Sequence, residues 1–159
     1  MIKAGDKLPE ATFTVMTADG PKPKTTDEIF KGKKIVLFAV PGAFTPTCHA
    51  NHVPGFRDKA ADLKAKGVDG IECVAVNDVF VMDAWGKSLS VGNNVEMLAD
   101  GSGKFASAIG LTMDLSERGL GVRSKRYSML VEDGVVKTLN IEEGPGVAAS
   151  GADNMLTQV

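Results

Sequence analysis

One segment of the sequence, Pro41–Cys48, places a cysteine where thiol chemistry is favoured. It follows Lys34–Val40, an apolar run typical of a strand buried on both faces, and precedes a helix predicted to begin near Thr45–Thr47. In an open α/β sheet, ligands bind in the crevice at the carboxyl ends of the strands. Cys48 lies in the first turn of that helix, where unpaired N–H groups and the helix dipole stabilise a thiolate. We therefore predict that Cys48 is a reactive nucleophile; the alternative is a cysteine that only packs at the start of a helix.

In a fast thiol enzyme, activation of the substrate must supply most of the rate of attack by such a cysteine. A thiol with a pKa of ~8.5 is only ~3% ionised at pH 7. Complete ionisation therefore raises its rate by at most ~30-fold, or about 2 kcal/mol. The rest requires hydrogen-bond donors aimed at the bond that breaks. Thr45, three residues before Cys48, is one candidate because its hydroxyl can lie on the same side of the turn.

An arginine is the second kind of donor that the sequence offers. Arg126 begins a predicted strand, so the sheet could hold its guanidinium beside Cys48, where it would bind a thiolate and an oxygen substrate. Arg123 belongs to a glycine-rich loop, and we expect its side chain to be solvated. From the residues alone, a surface charge on an edge strand is the alternative interpretation of Arg126.

The elements that must position these residues predict a mixed α/β architecture. The helix that ends at Lys66 joins Lys34–Val40 to a second apolar strand, Ile71–Asn77, and such a βαβ unit predicts two parallel strands. Asp133 and Gly134 predict an antiparallel hairpin between the apolar runs that flank them. The hairpin strands are Arg126–Val131 and Val135–Ile141, and two further strands are predicted at Ala11–Met16 and Val95–Asp100. Further helices are predicted after a cap at Thr25 and at Asp78–Trp85, Lys104–Ile109 and Asn154–Val159, and Pro54 predicts a kink in the long helix. This order favours a mixed central sheet with helices on both faces.

Composition and charge exclude several functional classes. The chain has 159 residues, of which 43% are hydrophobic and 24% charged, and these values fit one folded domain spanning residues 1–159. Its 18 basic and 20 acidic residues give a net charge of −2, which does not favour binding to nucleic acid. The longest apolar run, Ile35–Phe44, is far shorter than the ~20 residues of a membrane span. The N-terminal residues lack signal-peptide or transit-peptide character, so we expect a cytoplasmic protein with reduced thiols.

Two histidines close to the cysteine, His49 and His52, could suggest a metal site. Zinc needs three or four convergent ligands, but the adjacent Cys48 and His49 point in different directions on a helix, and no other cluster completes the set. We therefore predict no metal. His52 lies one helical turn from Cys48, where it lines the pocket entrance or packs in the interior. We expect Phe80 and Trp85 to be packing residues, within the chain or at a dimer contact.

The segment Pro41–Cys48, continued through His52–Phe56, resembles the active-site signature of the peroxiredoxins in their type II or type 5 branch. Val76–Asp78 and Gly119–Arg126 fit the same family pattern, and the resemblance covers almost the whole chain. It implies a thioredoxin-like fold and a thiol-dependent peroxidase that reduces hydrogen peroxide and alkyl hydroperoxides without metal, haem or flavin. A homodimer packed near the active-site loops is also implied.

The resemblance further implies a role for each residue of the site. Cys48 is then the peroxidatic cysteine, which cycles through a sulfenic acid. Thr45 hydrogen-bonds to it and to the peroxide, Arg126 polarises the peroxide, and Pro41 shields the pocket. Two other functions stay open: a thiol–disulfide oxidoreductase or redox relay on the same fold, and a binding module in which Cys48 is inert. Against the relay, Thr45 stands where a Cys-x-x-Cys motif would have its first cysteine.

Cys73, the only other cysteine, is a possible resolving residue. Its central position in a predicted strand favours a buried small hydrophobe, roughly 13 Å below the sheet edge at which Cys48 lies. A disulfide needs Cα atoms within about 7 Å. The resemblance to plant-type members supports a resolving role, whereas the animal type uses a cysteine near the C-terminus, where this chain has Ala149 and Ser150. We expect an external thiol, from glutaredoxin, glutathione or thioredoxin, to act on Cys48.

Overall fold

A seven-stranded mixed sheet forms the centre of the computed structural model, which describes residues 1–159. The strands are β1 (Thr12–Thr17), β2 (Gly20–Thr25), β3 (Lys34–Ala39), β4 (Gly70–Ala75), β5 (Glu96–Ala99), β6 (Thr112–Leu115), β7 (Gly121–Ser124), β8 (Tyr127–Glu132) and β9 (Val135–Ile141). Their order in the main sheet is β2-β1-β5-β4-β3-β8-β9, and β6 and β7 form a separate two-stranded sheet. The parallel pair β3–β4 confirms the predicted βαβ unit, and β4 and β5 also pair parallel.

The predicted hairpin joins β8 and β9, which pair antiparallel. Its turn residues, Asp133 and Gly134, have φ angles of 49° and 78°. Positive φ at both central residues is the requirement of the type I′ turn that Asp-Gly favours. The hairpin fixes the position of the residue just before β8, Arg126, because the N–H of Glu142, just after β9, donates to the Arg126 carbonyl.

A short 3₁₀ helix (Ser116–Arg118) joins β6 to β7, and the other helical elements are five α-helices and one π turn. They are α1 (Thr26–Phe30), the π turn (Cys48–His52), α2 (Val53–Ala65), α3 (Val79–Ser88), α4 (Lys104–Ile109) and α5 (Ala152–Leu156). Thr25 and Glu28 form the predicted capping box before α1, and Asp78 caps α3 by accepting a hydrogen bond from the Val81 N–H. No helix has the length and apolar composition that crossing a membrane requires.

The helix that carries Cys48 differs from the sequence prediction. In place of a kink at Pro54, its irregularity lies one turn earlier, where the Val53 N–H bonds to the Cys48 carbonyl five residues back. Pro54 has no N–H and cannot continue the regular i→i−4 ladder at this point. The wider π turn therefore precedes it, and Pro54 occupies the first turn of α2.

Other differences concern short elements. β2 was not predicted because Pro21 and Pro23 interrupt it, yet prolines are tolerated in an edge strand such as this one. The β6–β7 sheet was also not predicted, and the last helix ends at Leu156 instead of Val159.

The sheet separates two apolar layers, as expected for helices on both faces. One layer contains side chains of α2, α3 and α5 together with Cys48 and Cys73. The other contains side chains of α1 and α4. Alternation along β3 explains the division, since Phe38 belongs to the first layer and Leu37 to the second. The π turn thus packs on the same face of the sheet as α2 and α3.

Candidate active site

The loop between β3 and the π turn forms one wall of the site. The side chain of Asn77, which follows β4, accepts a hydrogen bond from the Ala43 N–H at 2.9 Å and thereby holds the middle of this loop. Phe44 adopts a φ of 63°, in the left-handed region that a bulky residue rarely occupies. Such backbone strain concentrates at functional sites, where the surrounding structure maintains it.

Cys48 and Arg126 meet at the centre of the site. Arg126 Nη2 donates a hydrogen bond to Cys48 Sγ at 2.9 Å, although the two residues are far apart in the sequence. Cys48 is fully buried, and the Arg126 guanidinium is the charged group to which its sulfur is hydrogen-bonded. A charged donor at this distance stabilises a thiolate and can also bind an oxygen substrate. The structure therefore brings together the predicted nucleophile and the predicted arginine.

His52 holds the other terminal nitrogen of Arg126. Its Nδ1 accepts a hydrogen bond from Arg126 Nη1 at 2.8 Å, and its Nε2 lies 2.9 Å from the Ser150 carbonyl. Burial, with a smaller contribution from the charge of Arg126, lowers the pKa of His52 to about 4. The ring is therefore neutral at pH 7, and its single proton lies on Nε2, the nitrogen that faces a carbonyl. The sequence indicated His52 only as a pocket or packing residue and did not indicate its contact with Arg126.

Thr45 and Pro41 lie on the loop, both half-buried. The Thr45 hydroxyl donates to the Gly42 carbonyl at 2.6 Å, and the expected hydrogen bond from Thr45 to Cys48 is not formed. The hydroxyl turns to Gly42 because a carbonyl three residues back satisfies it locally. Its oxygen retains lone pairs that can accept a hydrogen bond from a bound hydroperoxide.

Arg123 is not solvated, contrary to the expectation from its glycine-rich loop. Its side chain is half-buried and donates to three carbonyls: Leu120 at 2.7 Å, Val76 at 3.2 Å and Pro41 at 3.5 Å. It therefore ties the active-site loop to the end of β4. A Cβ at Gly42 would lie 3.2 Å from both Arg123 Nη1 and Thr45 Cγ2, closer than ordinary van der Waals contact, so glycine leaves room for these two side chains to pack against the loop.

An aromatic group covers the outer side of the π turn. Trp85 is buried, as expected, and its indole N–H donates to His49 Nδ1 at 3.0 Å. The Phe44 ring stacks on His49 with centroids 6.0 Å apart, and half of Phe44 is exposed. Phe80 is 64% exposed, so it does not pack within the chain, and a contact with a second copy is the form of the expectation that stays open. Its position near the start of α3 directs the ring to solvent.

Cys73 lies inside β4, paired in register with Phe38 on β3 and Met97 on β5. Both cysteines are free and buried. Burial raises the pKa of Cys73 well above the ordinary thiol value, so this side chain remains a neutral thiol. His49 and His52 bind different partners, and no group of three or more metal-ligating side chains converges in the structure.

The sequence and the fold both match known proteins. The family model described as Redoxin matches residues 3–156. Chloroplastic peroxiredoxin-2E of Arabidopsis thaliana is 50% identical over 98% of this chain and 68% of its own length. Chloroplastic peroxiredoxin-2E-2 of Oryza sativa subsp. japonica is 55% identical over 98% of this chain and 71% of its own length. The crystal structure of reduced Prx3 from Vibrio vulnificus in complex with hydrogen peroxide has a TM-score of 0.95 and 48% identity, with 99% of each chain covered.

Proposed function

The chain belongs to the peroxiredoxins, thiol-dependent peroxidases with a thioredoxin-like fold, and we propose that Cys48 performs the peroxidase chemistry. The observation that carries this assignment is the 2.9 Å hydrogen bond from Arg126 Nη2 to Cys48 Sγ. It supplies a fixed positive charge beside a sulfur that lies in the first turn of a helix, and both features favour a thiolate.

The first step is the attack of the Cys48 thiolate on one oxygen of the peroxide. A sulfur–oxygen bond forms, the oxygen–oxygen bond breaks, and the leaving alkoxide or hydroxide takes a proton from water. Cys48 becomes a sulfenic acid and the peroxide becomes an alcohol or water. Arg126 stabilises the charge that develops on the two oxygens, and the Thr45 hydroxyl orients the peroxide. Pro41 shields the pocket from bulk water.

Both hydrogen peroxide and alkyl hydroperoxides fit this site. The reacting group is the same in each, and the half-exposed Phe44 provides an apolar surface on the loop beside Cys48 for an alkyl group. We expect the apolar contact with Phe44 to lower the KM for alkyl hydroperoxides more than the KM for hydrogen peroxide.

An external thiol completes the cycle. A first thiol, from glutaredoxin, glutathione or thioredoxin, condenses with the sulfenic acid to give a mixed disulfide and water. A second thiol then releases reduced Cys48 and a disulfide product. The burial of Cys73, its neutral thiol and its place between two paired strands support this route over a Cys48–Cys73 disulfide.

We also propose a homodimer and a reducing, cytoplasmic location. Phe44, Phe80 and Val122 are at least half exposed, and hydrogen bonds of Asn77 and Arg123 join the segments that carry them. The contact that we propose uses these three side chains as one apolar edge beside the site. Two free cysteines are typical of a reducing compartment. Two relatives carry chloroplastic names, so fractionation of cells that express the chain is the test of its location.

Intact mass after brief exposure to one equivalent of hydrogen peroxide tests the chemistry. A gain of about sixteen mass units is expected, because a sulfenic acid adds one oxygen. Cys48→Ser should abolish the gain and the peroxidase activity, and the matched variant Cys73→Ser should retain both. Peroxide consumption by Cys48→Ser with a thiol donor would refute the assignment. A loss of about two mass units would instead indicate a Cys48–Cys73 disulfide and overturn the external-thiol route.

A further inference from the structure

A closed ring of hydrogen bonds passes through Arg126 and Glu142. Arg126 Nη1 donates to His52 Nδ1 (2.8 Å), and His52 Nε2 donates to the Ser150 carbonyl (2.9 Å). The Ser150 N–H and hydroxyl both donate to Glu142 Oε1, at 3.0 and 2.9 Å. The N–H of Glu142 donates to the Arg126 carbonyl at 2.9 Å and closes the ring. Glu142 therefore holds the Arg126 backbone directly and its guanidinium through two intermediate residues.

The Glu142 carboxylate is well suited to this task. Its second oxygen accepts a hydrogen bond from the Ala149 N–H at 3.3 Å, so both oxygens bind the segment that carries the Ser150 carbonyl. Burial acts to raise the pKa of Glu142, but the hydrogen bonds from Ser150 and Ala149 outweigh burial and hold the pKa below its ordinary value. The carboxylate is thus ionised at neutral pH, and its hydrogen bonds are charge-assisted.

We propose that Glu142 is a positioning residue for peroxide reduction and acts through Ser150 and His52 on the Arg126 guanidinium. The inference rests on the proposed function, in which Arg126 binds the peroxide. A guanidinium has five N–H groups in a fixed plane. One is used on His52 and one on Cys48, and these two contacts fix the plane of the guanidinium. They therefore set the directions in which its remaining N–H groups can donate to a peroxide.

The tautomer of His52 connects the carboxylate to the guanidinium. While the Ser150 carbonyl accepts the proton on Nε2, Nδ1 is an acceptor and binds Arg126. If the 142–150 segment moves, the carbonyl leaves Nε2, and the proton can shift to Nδ1. Two donors would then face each other, and the guanidinium would turn away from Cys48. A misplacement of ~1 Å at a reacting centre can lower a rate by about 100-fold.

The test is a double-mutant cycle on the rate of Cys48 oxidation, followed by stopped-flow with hydrogen peroxide. Glu142→Ala should slow oxidation by about tenfold or more. In an Arg126→Met background, Glu142→Ala should change the rate by no more than about twofold, because the group on which it acts is absent. Glu143→Ala is the matched control, since it removes the same charge from an exposed neighbour and should leave the rate unchanged.

Every outcome of the cycle decides between the alternatives. An equal loss from Glu142→Ala in both backgrounds, or no loss in either, overturns the positioning role. If Arg126→Met itself leaves the rate unchanged, the proposed function of Arg126 fails instead. Should Glu142→Ala not fold, Glu142→Gln replaces it, since glutamine keeps one oxygen for Ser150 and loses the charge and the acceptor for the Ala149 N–H. A smaller loss that again vanishes with Arg126→Met is then expected.

Discussion

Glu72→Gln should stabilise the protein increasingly as the pH rises from 4.5 to 9. Glu72 is buried in β4, its Oε2 has no hydrogen-bond partner, and it is paired in register with Glu96 on β5. Lys24 binds Glu96 at 2.8 Å and so leaves Glu72 without a cation of its own. Burial, reinforced by Glu96 and opposed weakly by Lys24 and Lys33, raises the pKa of Glu72 from 4.5 to about 9.

The sign and the size of the effect follow from proton linkage. Because its pKa is raised, folded Glu72 keeps its proton between pH 4.5 and about 9, whereas the unfolded chain has released it. Folding therefore takes up a proton, and the free energy of unfolding falls as the pH rises through this window. The slope is about 1.4 kcal/mol per pH unit, which accumulates to about 3 kcal/mol at pH 7. Glutamine is neutral in both states and lacks this slope.

Urea unfolding of both proteins from pH 5 to pH 8 measures this difference. Seven of the nine strands form one central sheet with an apolar layer on each face, so we expect a single transition at each pH. The free energy of unfolding of Glu72→Gln should exceed that of the parent chain by an amount that grows with pH, while the rate of Cys48 oxidation stays the same. Glu117→Gln makes the same substitution at an exposed position and controls for the charge removed from the unfolded chain. Parallel curves for the parent chain and Glu72→Gln would refute the reasoning.

Two further predictions concern the edge of the site. Arg123→Met should slow Cys48 oxidation by about tenfold in stopped-flow, because the loop at Pro41 loses its hydrogen bond to Arg123 and the peroxide pocket widens. Arg118→Met, at an exposed position, is the control, and equal rates for both variants would contradict the prediction. If the chain forms the proposed dimer, Phe80→Glu should shift it to monomer in sedimentation velocity, since a charge in the apolar edge opposes burial. A parent chain that sediments as a monomer would contradict the proposed dimer.

The sequence predicted those parts of the fold and site that depend on local patterns. The buried run before Pro41 and the Asp133–Gly134 turn each encode an element in a few residues, and both elements form as predicted. β2 was not predicted because two prolines normally exclude a strand, and only its edge position in the folded sheet makes them acceptable.

The contacts of Arg126 show where prediction from the sequence ends. Its position near Cys48 was expected from the family resemblance, but its partner His52 and the support from Glu142 depend on how the chain folds back after β9. The prediction for Arg123 was wrong for the same reason, since two of the carbonyls that bind it, those of Pro41 and Val76, belong to distant segments. Hydrogen bonds between distant segments leave no periodic pattern in the sequence.

The hydrogen bond between Trp85 and His49 gives the molecule its own optical reporter. Trp85 is the only tryptophan, and its indole N–H binds a residue of the π turn, next to Cys48. Unwinding of this turn would break that bond and bring water to the indole, whereas chemistry at the sulfur that leaves the turn intact would not. Intrinsic fluorescence can therefore separate the two events in time, in the unlabelled protein, during a single turnover.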